Sequence, residues 1–438
     1  MPTPYPYPTI FLPGIMGSVL RDQYPVEPET VWSPFKMLVK AYDRLTLHPD
    51  DVRYELKEPA RVITDQLFGI IYSEIIEELR HNLSPQADTP VPVFPFAYDW
   101  RQPLENVQNQ LAAFIEEVID RTKLLPHYHK EQYGASDKFP AKVNLVAHSM
   151  GGLVVAGYLQ KYGEARIYKV ASIASPLRGS LEAISKTATG SGTLGTSAGS
   201  SREREAARVT PALYYLLPSF KKAVVADEGL LDDIYRPEAW QPSIHDTLTS
   251  FVRMYGLNPV NPGQQAWQLL KNMLDAARSH RAGIDTLKLQ DSKKWLCIVG
   301  VNTNTRVQMR IIKDAKGEPV FLLNDDDVCN NWNDRDPARR ILTGDNTVPY
   351  LGARTDLIPT EQVVCVTPED YGLLEIKDKV LMAAMQSFHA ALPNMNLVQR
   401  LVVSHLKDLI YGDVWGRPSP DLDPNTPWDP PIAGLRKK

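Results

Sequence analysis

The sequence predicts an α/β fold: a mostly parallel central sheet with helices on both faces and a helical cap inserted in the middle of the chain. Three observations predict it. Six short runs, at 7–12, 91–98, 142–147, 169–174, 295–301 and 362–366, are rich in Val and Ile and apolar on both faces, as buried parallel strands are. Amphipathic helical patterns lie between them, at 66–81 (Leu67, Ile70, Ile71, Ile75, Ile76, Leu79) and at 107–123 (Leu111, Phe114, Ile115, Val118). From 176 to about 290 the strand pattern lapses into helical and irregular sequence.

Taken in chain order, residues 1–180 are expected to form the first part of the core, 181–290 the cap, 291–411 the rest of the core and 412–438 a Pro-rich tail. Within the cap, 183–207 carries TATGSGTLGTSAGSSRERE, a Gly/Ser/Thr-rich composition that predicts a mobile segment and a lid hinge. The stretch 306–322 reads as a β-hairpin turned at Lys316-Gly317. Past Tyr411 the many prolines predict an extended tail without regular structure, lying along the surface.

Composition excludes several classes of function. The 438 residues carry 48 Lys+Arg against 52 Asp+Glu, a net charge of −4, so there is no broad basic surface for nucleic acid. Hydrophobic residues make up 43 % and charged residues 23 %, as in a globular protein with a large core. The three cysteines (Cys297, Cys329, Cys365) are far apart and form no CxxC, so neither a disulfide framework nor a zinc site is expected. The opening MPTPYPYPTIFLPG has no basic and then apolar leader, and 18 apolar residues never run uninterrupted. The expected location is the cytoplasm, with export by a route that needs no signal peptide left open.

The chemistry centres on LVAHSMGGLVVAGYL, residues 145–159. An apolar strand runs through Ala147-His148-Ser149-Met150-Gly151 into an apolar helix. This is the nucleophile-elbow pattern of α/β-hydrolases, with Ala147 in place of the first glycine. The turn is sharp and tolerates only small flanking residues, which also accounts for the Gly151-Gly152 pair. Ser149 is therefore the candidate nucleophile. A serine hydroxyl needs a base, and the base needs an orienting acid. In this fold they follow in the order Ser, Asp/Glu, His.

Of nine histidines, His48, His81, His127 and His129 precede the serine. His148 is in the elbow, its ring expected to pack behind the strand. His245 and His280 fall in the cap. His389, in a loop before a helix starting near Pro393, is the candidate base; His405, on an apolar stripe of that helix, reads as a packing residue. ILTGDNTVPY offers Asp345 as the acid, aimed by the Gly344–Asn346 turn, in preference to Asp325-Asp326-Asp327. An oxyanion hole needs two backbone N–H groups. Met150, after the nucleophile, supplies one. Ile15 supplies the other, from LPGIMGS after the first strand, where Gly14 lets the chain turn close to the site.

The chain resembles the lecithin:cholesterol acyltransferase family, which includes lysosomal phospholipases and phospholipid:diacylglycerol acyltransferases. The resemblance rests on FLPGIMGSVL, FAYDWR, VAHSMGG, ASPLRGS, PALYYLLPS, GDNTVPY and the His389 segment, in the family's order. It implies that Ser149, Asp345 and His389 match the family triad and that Ile15 and Met150 match its oxyanion positions. It also implies that Asp99 and Arg101 of YDWR brace the site. Secreted members carry signal peptides and disulfides, and membrane-bound ones a membrane span, none of which is expected of this chain. The implied activity is serine-dependent hydrolysis or transfer of lipid acyl groups, with a lipid ester as partner at a membrane or micelle surface. No metal or organic cofactor is expected. The cap segment 213–217, with Leu213 and Leu217, is the expected acyl-chain wall. A general carboxylesterase or amide hydrolase, and an inert α/β-hydrolase binding module, are the alternatives. Head group, acyl acceptor and oligomeric state are not fixed by the sequence.

Overall fold

The computed structural model describes residues 5–39, 41–42, 44–56, 60–190, 201–372, 375, 387–422 and 427–438. Six strands form its main sheet: β1 (Thr9–Leu12), β2 (Val93–Pro95), β3 (Val143–His148), β4 (Ile167–Ile173), β5 (Trp295–Gly300) and β6 (Val363–Val366). They are the six apolar runs of the sequence. Their spatial order is β6-β5-β4-β3-β1-β2, and every pairing is parallel. Every residue of β1, β3, β5 and β6 is buried, because helices cover both faces and leave no side for polar alternation.

The topology places the site. From β1 the chain moves outward to β2, then returns to pair β3 with the other side of β1. The connections leaving the carboxyl ends of β1 and β3 therefore diverge and open a crevice, the place where open α/β sheets bind ligands.

The helices that matter are α1 (Gly69–Leu83), α2 (Leu104–Lys123), α3 (Met150–Tyr162), α4 (Glu182–Thr189), α5 (Ser201–Arg208), α6 (Pro242–Tyr255), α7 (Pro262–Thr286) and α8 (Asn396–Lys407). Helices α1 and α8 pack together as one layer, and α2, α3 and α7 form the other. Helix α1 buries Ile71, Tyr72, Ile75, Ile76, Leu79 and Leu83. Two residues of the expected stripe fall elsewhere. Leu67 ends a strand (Val62–Leu67). Ile70 is 58 % exposed, since one residue is about 100° of helical rotation from the buried ridge.

Three further expectations need correction. The stretch thought to hold no strand contains Val224–Ala226, which pairs in parallel with Met309–Lys313. That strand and Pro319–Leu322 form the expected hairpin, with Gly317 at φ 84° in its turn. The flanks of the Gly/Ser/Thr-rich segment are helices α4 and α5, with Ala183, Ile184, Lys186, Glu203 and Ala206 buried. The rest of it, 191–200, lies outside the described residues.

The tail is also more ordered than its prolines suggest. Trp415–Gly416 pairs in parallel with Arg436–Lys437, and Arg417 exchanges both backbone bonds with Cys365 of β6, at 2.9 and 3.3 Å. Arg417, Lys438 and the Trp415 indole converge on the buried Asp370 carboxylate. Burial alone would raise the Asp370 pKa, but these bonds outweigh it and hold the group well below the usual carboxylate range. Side chains thus fix the strap where proline forbids a continuous ladder. Among the described residues no helix is long and apolar enough to cross a membrane.

Candidate active site

Ser149 sits at the C-terminal end of β3 and caps α3, at φ 52° and ψ −126°. A positive φ in a residue with a Cβ is strained. Two features hold it: the Ser149 N–H donates to the Ile173 carbonyl of β4 at 2.9 Å, and α3 starts immediately afterwards. Small residues follow for a steric reason. A Cβ on Gly151 would lie 2.8 Å from the Pro13 carbonyl oxygen and 2.9 Å from that of Leu12. The helix can cross the end of β1 only without a side chain there.

Asp345 and His389 come to the same place from far along the chain. Asp345 stands over the end of β5, against Gly300. Its Oδ1 accepts the N–H groups of Thr347 and Val348, at 3.0 and 2.6 Å, which aims Oδ2 away from the turn. His389 lies in a short helix, Phe388–Ala391, rather than in a loop, and its own N–H donates to the Asp345 carbonyl at 3.1 Å. His389 Nδ1 is 2.7 Å from Asp345 Oδ2, and Nε2 is 2.8 Å from Ser149 Oγ. A carboxylate only accepts. The Nδ1 therefore carries the proton, and Nε2 is left to accept from the serine hydroxyl. All three side chains are buried, at 1–5 % exposure.

The backbone donors lie beside this chain of bonds. Met150 is the first residue of α3, so its N–H has no intrahelical acceptor. Gly14 closes on Ser149: a Cβ there would be 2.8 Å from Ser149 Cβ. Ile15 follows it in the same loop. The Gly14 N–H itself is committed, donating to the Tyr72 hydroxyl at 3.0 Å. That hydroxyl is 2.9 Å from His148 Nδ1, and His148 Nε2 is 3.1 Å from the His389 carbonyl oxygen. The His148 ring thus does more than fill space behind the strand. Burial first, and the nearby His389 second, push its pKa well below the ordinary histidine value. Tyr72, on α1, carried no signal in the sequence beyond membership of an apolar stripe.

Next to Ile15 lies a small, mostly apolar cavity of about 30 Å³, bordered by Met16, Leu45, Trp100, Ala207 and Leu213. At one side Lys186 of α4 pairs with Glu203 of α5, which also accepts from the Tyr42 hydroxyl at 2.9 Å. Leu217 lies away from this cavity; it is buried, and its carbonyl accepts from the Tyr235 hydroxyl. Asp99 and Arg101 do not reach the serine. The Arg101 guanidinium binds both oxygens of Asp99 and one of Glu55, and its carbonyl accepts the Ala212 N–H at 3.3 Å. The YDWR segment thus ties the core to the segment bearing Leu213. His405 is buried, with Nε2 3.1 Å from the Val170 carbonyl oxygen and 3.2 Å from that of Lys294. Asp325 to Asp327 form an acidic turn containing no buried residue. Among the described residues, no His, Cys, Asp and Glu side chains cluster to hold a metal.

The sequence profile of the family described as lecithin:cholesterol acyltransferase matches residues 64–355, two thirds of the chain. The chain belongs to the lecithin:cholesterol acyltransferase family. The match includes Ser149 and Asp345 and ends before His389. Family membership carries lipid acyl transfer or hydrolysis as the class of chemistry. Among curated proteins none matches this chain. Among solved structures, that of the Tle4-Tli4 complex is 18 % identical and aligns over 80 % of this chain and 89 % of that one, with a TM-score of 0.55. At that identity the likeness is one of fold, and it agrees with an α/β-hydrolase architecture for this lecithin:cholesterol acyltransferase family member. The lin2722 gene product of Listeria innocua is 13 % identical over 66 % of this chain and 97 % of its own, with a TM-score of 0.19.

Proposed function

We propose that the protein is a serine-dependent lipid acyl hydrolase or O-acyltransferase that works through Ser149, His389 and Asp345 and an acyl-enzyme. The observation that carries this reading is the unbroken chain of short bonds from Asp345 Oδ2 through His389 to Ser149 Oγ, in a chain whose family acts on lipid esters. As the serine oxygen bonds to the ester carbonyl carbon, its proton passes to His389 Nε2. Asp345 keeps the proton on Nδ1 and stabilises the imidazolium. The N–H groups of Ile15 and Met150 receive the oxyanion. Collapse breaks the bond to the leaving alcohol, which takes the proton from His389. Water, or an acceptor alcohol, then gives a proton to His389 and bonds to the acyl carbon. Collapse breaks the bond to Ser149 Oγ, which takes that proton back from His389 as the free acid or new ester leaves. The apolar wall beside Ile15, which includes Leu213, is the surface proposed to meet the acyl chain, and the small cavity of about 30 Å³ there must widen to receive it.

A fluorophosphonate probe tests the reading. Wild-type protein should be labelled at Ser149, and Ser149→Ala should not react. A label mapped to another serine would overturn the assignment. Product analysis on phospholipid and triacylglycerol vesicles, with and without an alcohol, then separates hydrolase from transferase and identifies the donor.

A further inference from the structure

The bonds around His148 have a single consistent direction. The His389 backbone carbonyl can only accept, so His148 Nε2 carries the hydrogen. In a neutral ring Nδ1 is then an acceptor, and the Tyr72 O–H donates to it. The Tyr72 oxygen still has a lone pair, and the Gly14 N–H occupies it. Gly14, Tyr72, His148 and His389 thus form one directed chain, every member of it buried or nearly so: Tyr72 is 2 % exposed, His148 3 % and His389 5 %.

The two ends of this chain are the two parts of the site that must keep their spacing. Gly14 begins the loop that offers the Ile15 N–H. His389 is the base. Nothing in the sheet ladder ties them directly, because one follows β1 and the other lies beyond β6. We propose that Tyr72 and His148 are positioning residues, which lock the oxyanion loop at Gly14 to the backbone of His389 and so hold both against Ser149. This rests on the triad reading above.

The same arrangement explains why His148 has to stay neutral. Its ring centroid is 4.9 Å from that of His389. When His389 takes the serine proton it becomes a cation, and a second imidazolium at that distance would oppose the transfer. The Tyr72 hydrogen bond to Nδ1 favours the neutral ring, in keeping with the lowered pKa of His148.

The test compares Tyr72→Phe, His148→Phe and the double variant on a short soluble ester, with thermal midpoints measured alongside. Each single variant should lower kcat by about 10- to 100-fold, the scale of a disturbed oxyanion donor, while KM changes by less than about threefold. The double variant should be no slower than the slower single one, since both break the same chain. His148→Gln keeps a donor for the His389 carbonyl and should recover part of the rate lost in His148→Phe. A wild-type kcat in Tyr72→Phe, or full additivity in the double variant, would overturn the proposal. If Tyr72→Phe does not fold, the two His148 variants decide: equal rates overturn it. Ser149→Ala separates the two readings. If it is inactive while Tyr72→Phe runs at full rate, only the positioning role fails. If Ser149→Ala retains the wild-type rate, the triad reading falls and this inference with it.

Discussion

Arg101 and Asp99 meet side-on, Nε to Oδ1 at 2.9 Å and Nη2 to Oδ2 at 2.7 Å, with the guanidinium wholly removed from solvent. Glu55 takes a further bond at 2.9 Å. Burial on its own would raise the Asp99 pKa; the adjacent guanidinium outweighs it and holds the carboxyl below its ordinary value. Arg101→Met would leave two carboxylates without their cation in a buried place. The expected loss is about 3–5 kcal/mol, against less than about 1 kcal/mol for breaking the exposed Arg121–Glu117 pair. Arg101→Lys should recover only part, because an ammonium cannot span both Asp99 oxygens. Urea unfolding midpoints check this, and equal midpoints for Arg101→Met and wild type would refute it.

Ser149→Gly should abolish esterase activity, by roughly 10⁶ in kcat if the serine is the nucleophile, and yet stabilise the fold. The strain at φ 52° is about 1–3 kcal/mol for a residue with a Cβ, and glycine does not suffer it. After the entropy that glycine costs, a net gain of about 1 kcal/mol is expected. A melting temperature below that of wild type would show that the elbow is unstrained.

Gly14→Ala tests how closely the proposed oxyanion loop is held against Ser149. A Cβ 2.8 Å from Ser149 Cβ must push one of the two aside. A kcat loss of about 10²–10³ is expected, the scale of losing one oxyanion donor, with a stability cost of about 1–3 kcal/mol. Unchanged kinetics would mean that the loop is not held against Ser149.

The pH dependence of stability has a definite sign. His405 and His280 have folded pKa values lowered by burial to about 4 and about 3, from 6.5, and His148 is lowered as well. Between the folded and unfolded values the unfolded chain binds protons that the folded chain does not. Stability is therefore full above pH 6.5 and declines as the pH falls toward 4, by up to about 1.4 kcal/mol per pH unit for each such histidine. Urea midpoints measured from pH 7 to 4.5 should fall more steeply for wild type than for His405→Gln. Parallel curves would show that His405 does not titrate in this way.

Much of the fold was legible because parallel strands buried on both faces are written as continuous apolar runs, and all six were found. Ser149 was legible for a similar reason: its turn needs particular small neighbours in sequence. Asp345 and His389 were reached from chain order and motif context, and they now lie within 2.7 Å of each other. Tyr72 could not be read. Its ring obeys the same apolar stripe as Ile75 and Leu79, and only the third dimension gives its hydroxyl a partner 76 residues away. The tail misled because proline count predicts the absence of a regular ladder, but says nothing of a carboxylate such as Asp370 gathering Arg417 and Lys438. Ile70 misled because an apolar stripe can be read one residue too wide.

The strap that joins Arg417 to Cys365 closes one margin of the sheet. At the opposite margin β2 ends in Pro95, with Pro90 and Pro92 just ahead of it, and proline has no N–H to offer an incoming strand. The two flanks are therefore denied to neighbouring molecules by different means, one by a covering segment and one by missing donors. Removing the strap would bare the backbone of Val363–Val366, four fully buried apolar residues, as a template for strand addition between molecules. Shortened forms of this chain that end before Arg417 would then be lost to self-association, even with every residue near Ser149 intact.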